Sequence, residues 1–179
     1  ENGGLMNAAT ELSRYIRDIP DYPVPGVNFK DICPLLQDAS ALKLSVTTLV
    51  EIAQTLQVDV VAAPDARGFI FGVPVALALN CGFVPIRKAG KLPYQTNSLE
   101  YELEYGTDTL EMHVDSVEEG VRVLLVDDLL ATGGTIKACC ELLEQQKAVV
   151  AGCCFVVKLD FLNGRERLAP RKVQSIVHY

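Results

Sequence analysis

Asp127 and Asp128 stand side by side after an apolar run, Val123 to Val126, and two leucines later comes the small-residue run Ala131-Thr132-Gly133-Gly134-Thr135. Adjacent carboxylates can accept hydrogen bonds from a sugar cis-diol, and such charge-assisted bonds are stronger than neutral ones. Helical spacing resumes over Ile136 to Gln146, so the backbone N–H groups of Gly133, Gly134 and Thr135 meet the positive end of a helix. That combination suits a phosphate dianion. The pattern is the grammar of a phosphorylated sugar gripped by its phosphate and its hydroxyls. An acidic pair that merely caps a helix would explain one Asp, but not both together with the ATGGT run.

Other phosphate chemistries fail on spacing. A P-loop needs GxxxxGK[ST], and Gly90-Lys91 lacks both the earlier glycine and the following hydroxyl. A dinucleotide fold needs GxGxxG, which Gly133-Gly134 does not supply. A receiver domain opens on a similar acidic pair, but only 51 residues follow Asp128, too few to build one. Two further stretches stand out. Asp65-Ala66-Arg67-Gly68 lies beyond the β-branched run Val58 to Val61, and the basic stretch Arg87-Lys88-Ala89-Gly90-Lys91 follows Phe83 to Ile86.

Those junctions need a scaffold, and the apolar periodicity supplies one. It predicts helices over 5–18, 41–57, 69–80 and 136–146, with strands over 58–61, 83–86, 123–126, 148–158 and, at a sheet edge, 172–179. The 69–80 helix is apolar nearly all round and should be buried; 159–168 should be a turn with short helical content. Strands alternating with helices imply βαβ units, an α/β fold with a parallel sheet core, and binding at the carboxyl ends of the strands. Both junctions then face one edge. Prolines and Gly26 hold residues 21–31 out of helix, where Val27 and Phe29 are placed to cover a ligand. Residues 92–109 are too polar and too long for a tight turn and should form a lid.

Length and composition bound the rest. A chain of 179 residues fits one domain that buries roughly 70% of its unfolded surface. The net charge of −7 argues against nucleic-acid or anionic-membrane partners. The longest apolar run, Val149 to Val157, is far below the roughly 20 residues of a membrane span, and no charged-then-apolar secretion signal opens the chain. Six cysteines without a CxxC or a nearby His suggest reduced, cytoplasmic usage. His113 and His178 carry no partner pattern and should be structural.

VLLVDDLLATGGT resembles the phosphoribosyl diphosphate (PRPP) motif of type I phosphoribosyltransferases. Together with YPVPGVNFKD from Tyr22, PDARGFIFG from Pro64, IRKAGKLP from Ile86, LEYG from Leu103 and LDFLNGRERL from Leu159, it resembles the adenine-specific members over nearly the whole chain. The resemblance implies a type I phosphoribosyltransferase fold with a small N-terminal hood over about 19–36. It implies transfer of the 5-phosphoribosyl group of PRPP to N9 of adenine, giving AMP and pyrophosphate with Mg²⁺, in a homodimer. Asp65, Ala66, Arg67 and Gly68 would bind pyrophosphate, aided by Arg87, Lys88 and Lys91, and the Asp65–Ala66 peptide is often cis in the family. Asp127 and Asp128 would lie at the ribose, and Ala131, Thr132, Gly133, Gly134 and Thr135 at the 5′-phosphate. Mg²⁺ would be bound mainly through the diphosphate. Glu104 would be the acid/base at the purine's N7, with Tyr105 packing over the closed site. Val27, Asn28, Phe29, Lys30, Leu129 and Leu159 would surround the base. The chain departs from the family pattern at Asn28, usually apolar, at Lys30, usually Arg, and at Tyr94, commonly Gly. Two alternatives stay open: a PRPP-binding regulator without catalysis, and transfer to another base such as hypoxanthine, guanine or xanthine.

Overall fold

A computed structural model describes every residue except Glu1 and Glu104. In chain order the elements are α1 (Asn2–Ser13), β1 (Arg17–Pro20), β2 (Asn28–Asp31), α2 (Cys33–Gln37), α3 (Ala39–Ala53), β3 (Val60–Pro64), α4 (Arg67–Ala78) and β4 (Gly82–Lys88). There follow β5 (Thr96–Glu102), β6 (Thr107–His113), β7 (Arg122–Leu130), α5 (Gly134–Gln145), β8 (Val149–Lys158), a 3₁₀ turn at Asp160–Leu162, α6 (Gly164–Leu168) and β9 (Val173–His178). Seven strands form one sheet in the order β5-β6-β4-β3-β7-β8-β9. From β4 to β9 the neighbours run parallel, while β6 and β5 are antiparallel additions at the edge.

The central strands are apolar on both faces because helices cover both. Alternate residues point to opposite sides of a strand. On β7, Leu124 and Val126 join the core under α1, α3 and α4 with Leu12, Leu49 and Phe71. Val123 and Leu125 join the core under α5 and α6 with Ile136, Leu142 and Leu168. On β8, Val156 and Phe155 divide the same way. Each such side chain, fully buried, contributes about 1.5–3 kcal/mol. Helix α3 starts cleanly because the Asp38 carboxylate accepts from the Ala41 N–H at 2.8 Å, satisfying one of the free donors of the first turn.

Three expectations are corrected. The first helix stops at Ser13, and residues 17–20 are strand, because β1 pairs with β2 from Arg17↔Asp31 to Pro20↔Asn28 and Arg17 Nη2 donates to the Asp31 carboxylate at 2.7 Å. Tertiary pairing here overrides a local helical spacing. Helix α4 is not buried all round: Phe71 and Val75 face the sheet, whereas Ile70, Val73 and Leu77 are exposed. A helix lying on one face of a sheet buries one stripe only. The polar stretch around 94–109 is not irregular. It is the β5–β6 hairpin, with Leu99 opposite Leu110 and Tyr101 opposite Asp108, closed by a Leu103 N–H to Gly106 carbonyl bond of 2.9 Å.

Candidate active site

The carboxyl ends of β3, β4 and β7 surround a cavity of about 370 Å³ lined by residues 64–67, Lys88 and residues 127–136. Three chain turns build it. At the end of β3, the Asp65–Ala66 peptide is cis, matching the expectation, and α4 begins at Arg67. Gly68 lies behind the cavity wall, where a β-carbon would stand 3.0 Å from Asp127 Oδ1 and 3.1 Å from Pro64 Cδ, so the missing side chain leaves α4 room to start close to the acidic pair. On β7 the carboxylates lie inside the strand rather than at its end, since β7 runs on to Leu130. The loop at 131–133 then turns through Gly133 at φ +85° into α5.

The acidic pair is asymmetric. Asp128 is buried, and its Oδ2 accepts from Arg67 Nε at 2.6 Å. Among the described residues, Asp127 Oδ1 accepts only from the Asp128 backbone N–H, at 2.8 Å. Burial, and then the neighbouring Asp128 charge, push the Asp127 carboxyl well above the ordinary carboxylate range. The charge of Asp128 holds the Arg67 guanidinium firmly protonated against its partial desolvation. Thus one carboxylate is matched by a cation while the other favours keeping its proton.

The second basic group divides its duties. Arg87 Nε reaches Asp65 Oδ2 at 3.2 Å, and its Nη1 reaches the Lys91 carbonyl at 3.3 Å. It therefore ties the 88–91 turn to the loop at 65–67. Lys88 enters the cavity and pairs with Asp108 of β6. Burial pulls its ammonium down, but hydrogen bonding to Asp108 and the nearby Tyr101 leave it raised overall.

Several predicted residues lie elsewhere. Leu129 lines the central cavity, but Leu159, although buried, borders a separate recess beside α6. Val27 and Asn28 border a shallow recess with Asp18 and Asp21. Phe29 packs edge-on against Tyr22 at 5.2 Å between ring centroids. Lys30 pairs with Asp18, and its Nζ lies 4.0 Å from the centre of the Tyr179 ring. These residues belong to the separate two-stranded β1–β2 ribbon, which explains why they do not line the sheet-edge cavity. Tyr105, at the hairpin turn, is 88% exposed. Glu104 lies outside the described residues.

Sequence reasoning missed Tyr101, whose hydroxyl lies 3.3 Å from Thr135 Oγ1 and so joins the hairpin to the small-residue loop. The alternation of Leu99, Tyr101 and Leu103 was the available signal for a strand there. Both histidines find structural partners: His113 Nε2 accepts from the Tyr94 N–H at 3.3 Å, and the His178 ring meets Ser175 Oγ at 3.0 Å.

A cation-bearing loop, an acidic pair and a glycine-rich turn into a helix N-terminus thus share one sheet edge. In agreement, residues 36–177 match the phosphoribosyl transferase domain, and the chain belongs to that family. Among its relatives is the adenine phosphoribosyltransferase of Rhodopirellula baltica, 54% identical over 94% of this chain and 82% of that protein. The crystal structure of adenine phosphoribosyltransferase from Thermoanaerobacter pseudethanolicus superposes with a TM-score of 0.92 at 50% identity, covering 96% of this chain and 99% of that one. The Saccharomyces cerevisiae enzyme, crystallised with an imino-altritol bisphosphate and adenine, superposes with a TM-score of 0.88 at 36% identity over 95% and 98%.

Proposed function

We infer that this chain transfers the 5-phosphoribosyl group of PRPP to adenine, forming AMP and pyrophosphate. The observation that carries the reading is the convergence of the 65–67 loop, the Asp127-Asp128 pair and the 131–135 loop on one cavity, in a chain whose relatives at about half identity are adenine phosphoribosyltransferases.

The chemistry follows from where charge develops. As pyrophosphate leaves the anomeric carbon, positive charge builds on the ribose ring and negative charge on the departing group. Arg67, Arg87 and Lys88 supply fixed positive charge on the leaving side, while Asp128 and Asp127 face the ribose. With Asp128 matched by Arg67, arrival of the diphosphate group of PRPP draws Arg67 toward the anion and leaves Asp128 freer to stabilise the ribosyl cation. Asp127, biased toward its protonated form, can donate to a ribose hydroxyl as well as accept from one. Backbone N–H groups at 133–135 hold the 5′-phosphate. Glu104, by family resemblance, exchanges the proton at the purine's N7, a role worth about 10²–10⁴ in rate. The β5–β6 hairpin serves as the lid that excludes water, with Tyr105 folding inward on closure. Adenine binds between Leu129 and the ribbon carrying Val27, Asn28, Phe29 and Lys30, which must approach the cavity for a closed site.

Among the described residues no three acidic, His or Cys side chains converge as a metal cage. The site instead offers two neighbouring carboxylates, which fits Mg²⁺ held mostly by substrate oxygens. When bound there, Mg²⁺ would supply charge neutralisation of the diphosphate, held mainly by the diphosphate itself, with Asp128 the residue of the pair that would assist it.

The protein is also read as one domain working as a homodimer in the cytoplasm. The exposed apolar face of α4, with Ile70, Val73 and Leu77, supports the dimer, since soluble monomers seldom expose such a stripe. Six free thiols support a reducing compartment.

The deciding test is purified protein incubated with PRPP, Mg²⁺ and each of adenine, hypoxanthine, guanine and xanthine, with nucleotide products resolved chromatographically. AMP from adenine alone is expected. No nucleotide from any base would leave only the regulatory reading; product from an oxopurine alone would move the base assignment.

A further inference from the structure

The loop that receives the 5′-phosphate leans on a neighbour far along the chain. Gly164 opens α6 and is buried, and a β-carbon there would stand 2.4 Å from the Ala131 carbonyl oxygen and 3.1 Å from Leu130 Cγ and Cδ1. The contact is mutual. A β-carbon on Gly133 would lie 2.9 Å from the Gly164 carbonyl oxygen, and one on Gly134 would lie 3.2 Å from Arg167 Nη1. Residues 131, 133 and 134 are therefore all met by the single turn at 164–167, backbone against backbone for residues 131 and 133 and through the Arg167 side chain for residue 134. No rotamer change can relieve the two backbone contacts.

The support itself is anchored. Leu168 is fully buried in the core under α5, and the Leu159 N–H donates to the Leu130 carbonyl at 3.0 Å. None of residues 159–168 lines the substrate cavity, so anything they do for binding must pass through the loop. A set of N–H donors recognises a dianion only if held within a fraction of an ångström of the right place.

We propose that the Gly133–Gly164 backbone contact sets the position of the phosphate loop, making Gly164 a positioning residue for recognition of the substrate's 5′-phosphate. The inference rests on the 131–135 loop being the 5′-phosphate site of the proposed reaction. AMP and PRPP carry that phosphate, whereas pyrophosphate does not, so the two kinds of ligand separate a displaced loop from a generally damaged protein.

The experiment measures calorimetric binding of AMP and of pyrophosphate with Mg²⁺, together with KM for PRPP and for adenine, in wild type, Gly164→Ala and a control. The control is Gly152→Ala, where the added β-carbon would meet Leu56 Cδ1 at 2.8 Å, a core clash that does not involve the loop. Gly164→Ala should weaken AMP binding and raise the PRPP KM at least about tenfold, as expected for misplaced binding groups, with pyrophosphate affinity and adenine KM within about twofold of wild type. Gly152→Ala should lower thermal stability and leave all four constants unchanged. If Gly164→Ala is insoluble, Leu168→Val, which loosens the anchor of α6 without a clash, is measured instead and should show the same selective loss. Unchanged AMP and PRPP constants, or equal weakening of pyrophosphate, in the variant measured would overturn the proposal. Wild-type protein that binds neither AMP nor PRPP would sink the functional reading itself, a distinct outcome.

Discussion

Replacing Arg67 by Gln should destabilise the folded protein, and the same change should cost almost nothing once Asp128 is also made neutral. The reason lies in the asymmetry of the pair: the Asp128 side chain is 6% exposed and that of Arg67 is 56% exposed. Breaking a fully buried ion pair by removing one partner costs about 3–5 kcal/mol because a buried charge is left unmatched. An exposed pair is worth about 0–1 kcal/mol. With one partner buried and the other half in solvent, about 2 kcal/mol is the reasonable middle, made worse by Asp127 standing beside the stranded carboxylate. For a chain of this size that corresponds to a fall in Tm of roughly 4–8 °C. Thermal unfolding at pH 7 of wild type, Arg67→Gln, Asp128→Asn and the double variant, without ligands, gives the coupling directly. A coupling energy below about 0.5 kcal/mol, the scatter of independent sites, would refute the claim that Arg67 exists in the resting protein chiefly as the counter-charge of Asp128.

Further outcomes follow from other parts of the site. Glu104→Ala should lose about 10²–10⁴ in kcat while PRPP binding persists, because an acid/base acts in the transition state; equal loss of both would argue against that role. Asp127 should make stability fall as pH rises from about 4, the unfolded carboxyl value, up to its raised folded value. Within that window the folded chain keeps a proton that the unfolded chain has released. Asp127→Asn should flatten this slope in Tm against pH; parallel wild-type and variant profiles would contradict it. Val73→Glu, on the exposed face of α4, should convert a dimer to a monomer by light scattering without lowering Tm greatly at high dilution. A variant that remains dimeric would remove α4 from the interface.

The parts of the site legible in the sequence were those built from consecutive residues. A strand, a turn and a helix N-terminus are local structures, so VLLVDDLLATGGT and PDARG announce their own backbone geometry and the donors they expose. The parts that were not legible depend on which distant segments meet. That Asp128 rather than Asp127 takes Arg67 depends on where α4 docks against β7, across 61 residues of chain. The hairpin at 96–113 reads as a polar loop because its antiparallel partnership, not its hydrophobicity, holds it, and one face is solvated. The early end of α1 likewise follows from pairing with β2, which outbids a helical spacing that has no strong N- or C-terminal signal at Ser13.

Sequence by itself determined the phosphate and sugar chemistry, the parallel α/β scaffold and the family, because each is encoded in short-range patterns of period, glycine and charge. Tertiary structure alone decided the upward push on the Asp127 carboxyl, the link from Tyr101 to Thr135, and the close approach of residues 131–134 to Gly164. Desolvation, ion pairing and backbone close approach are properties of neighbours in space, and a linear string does not record who those neighbours are.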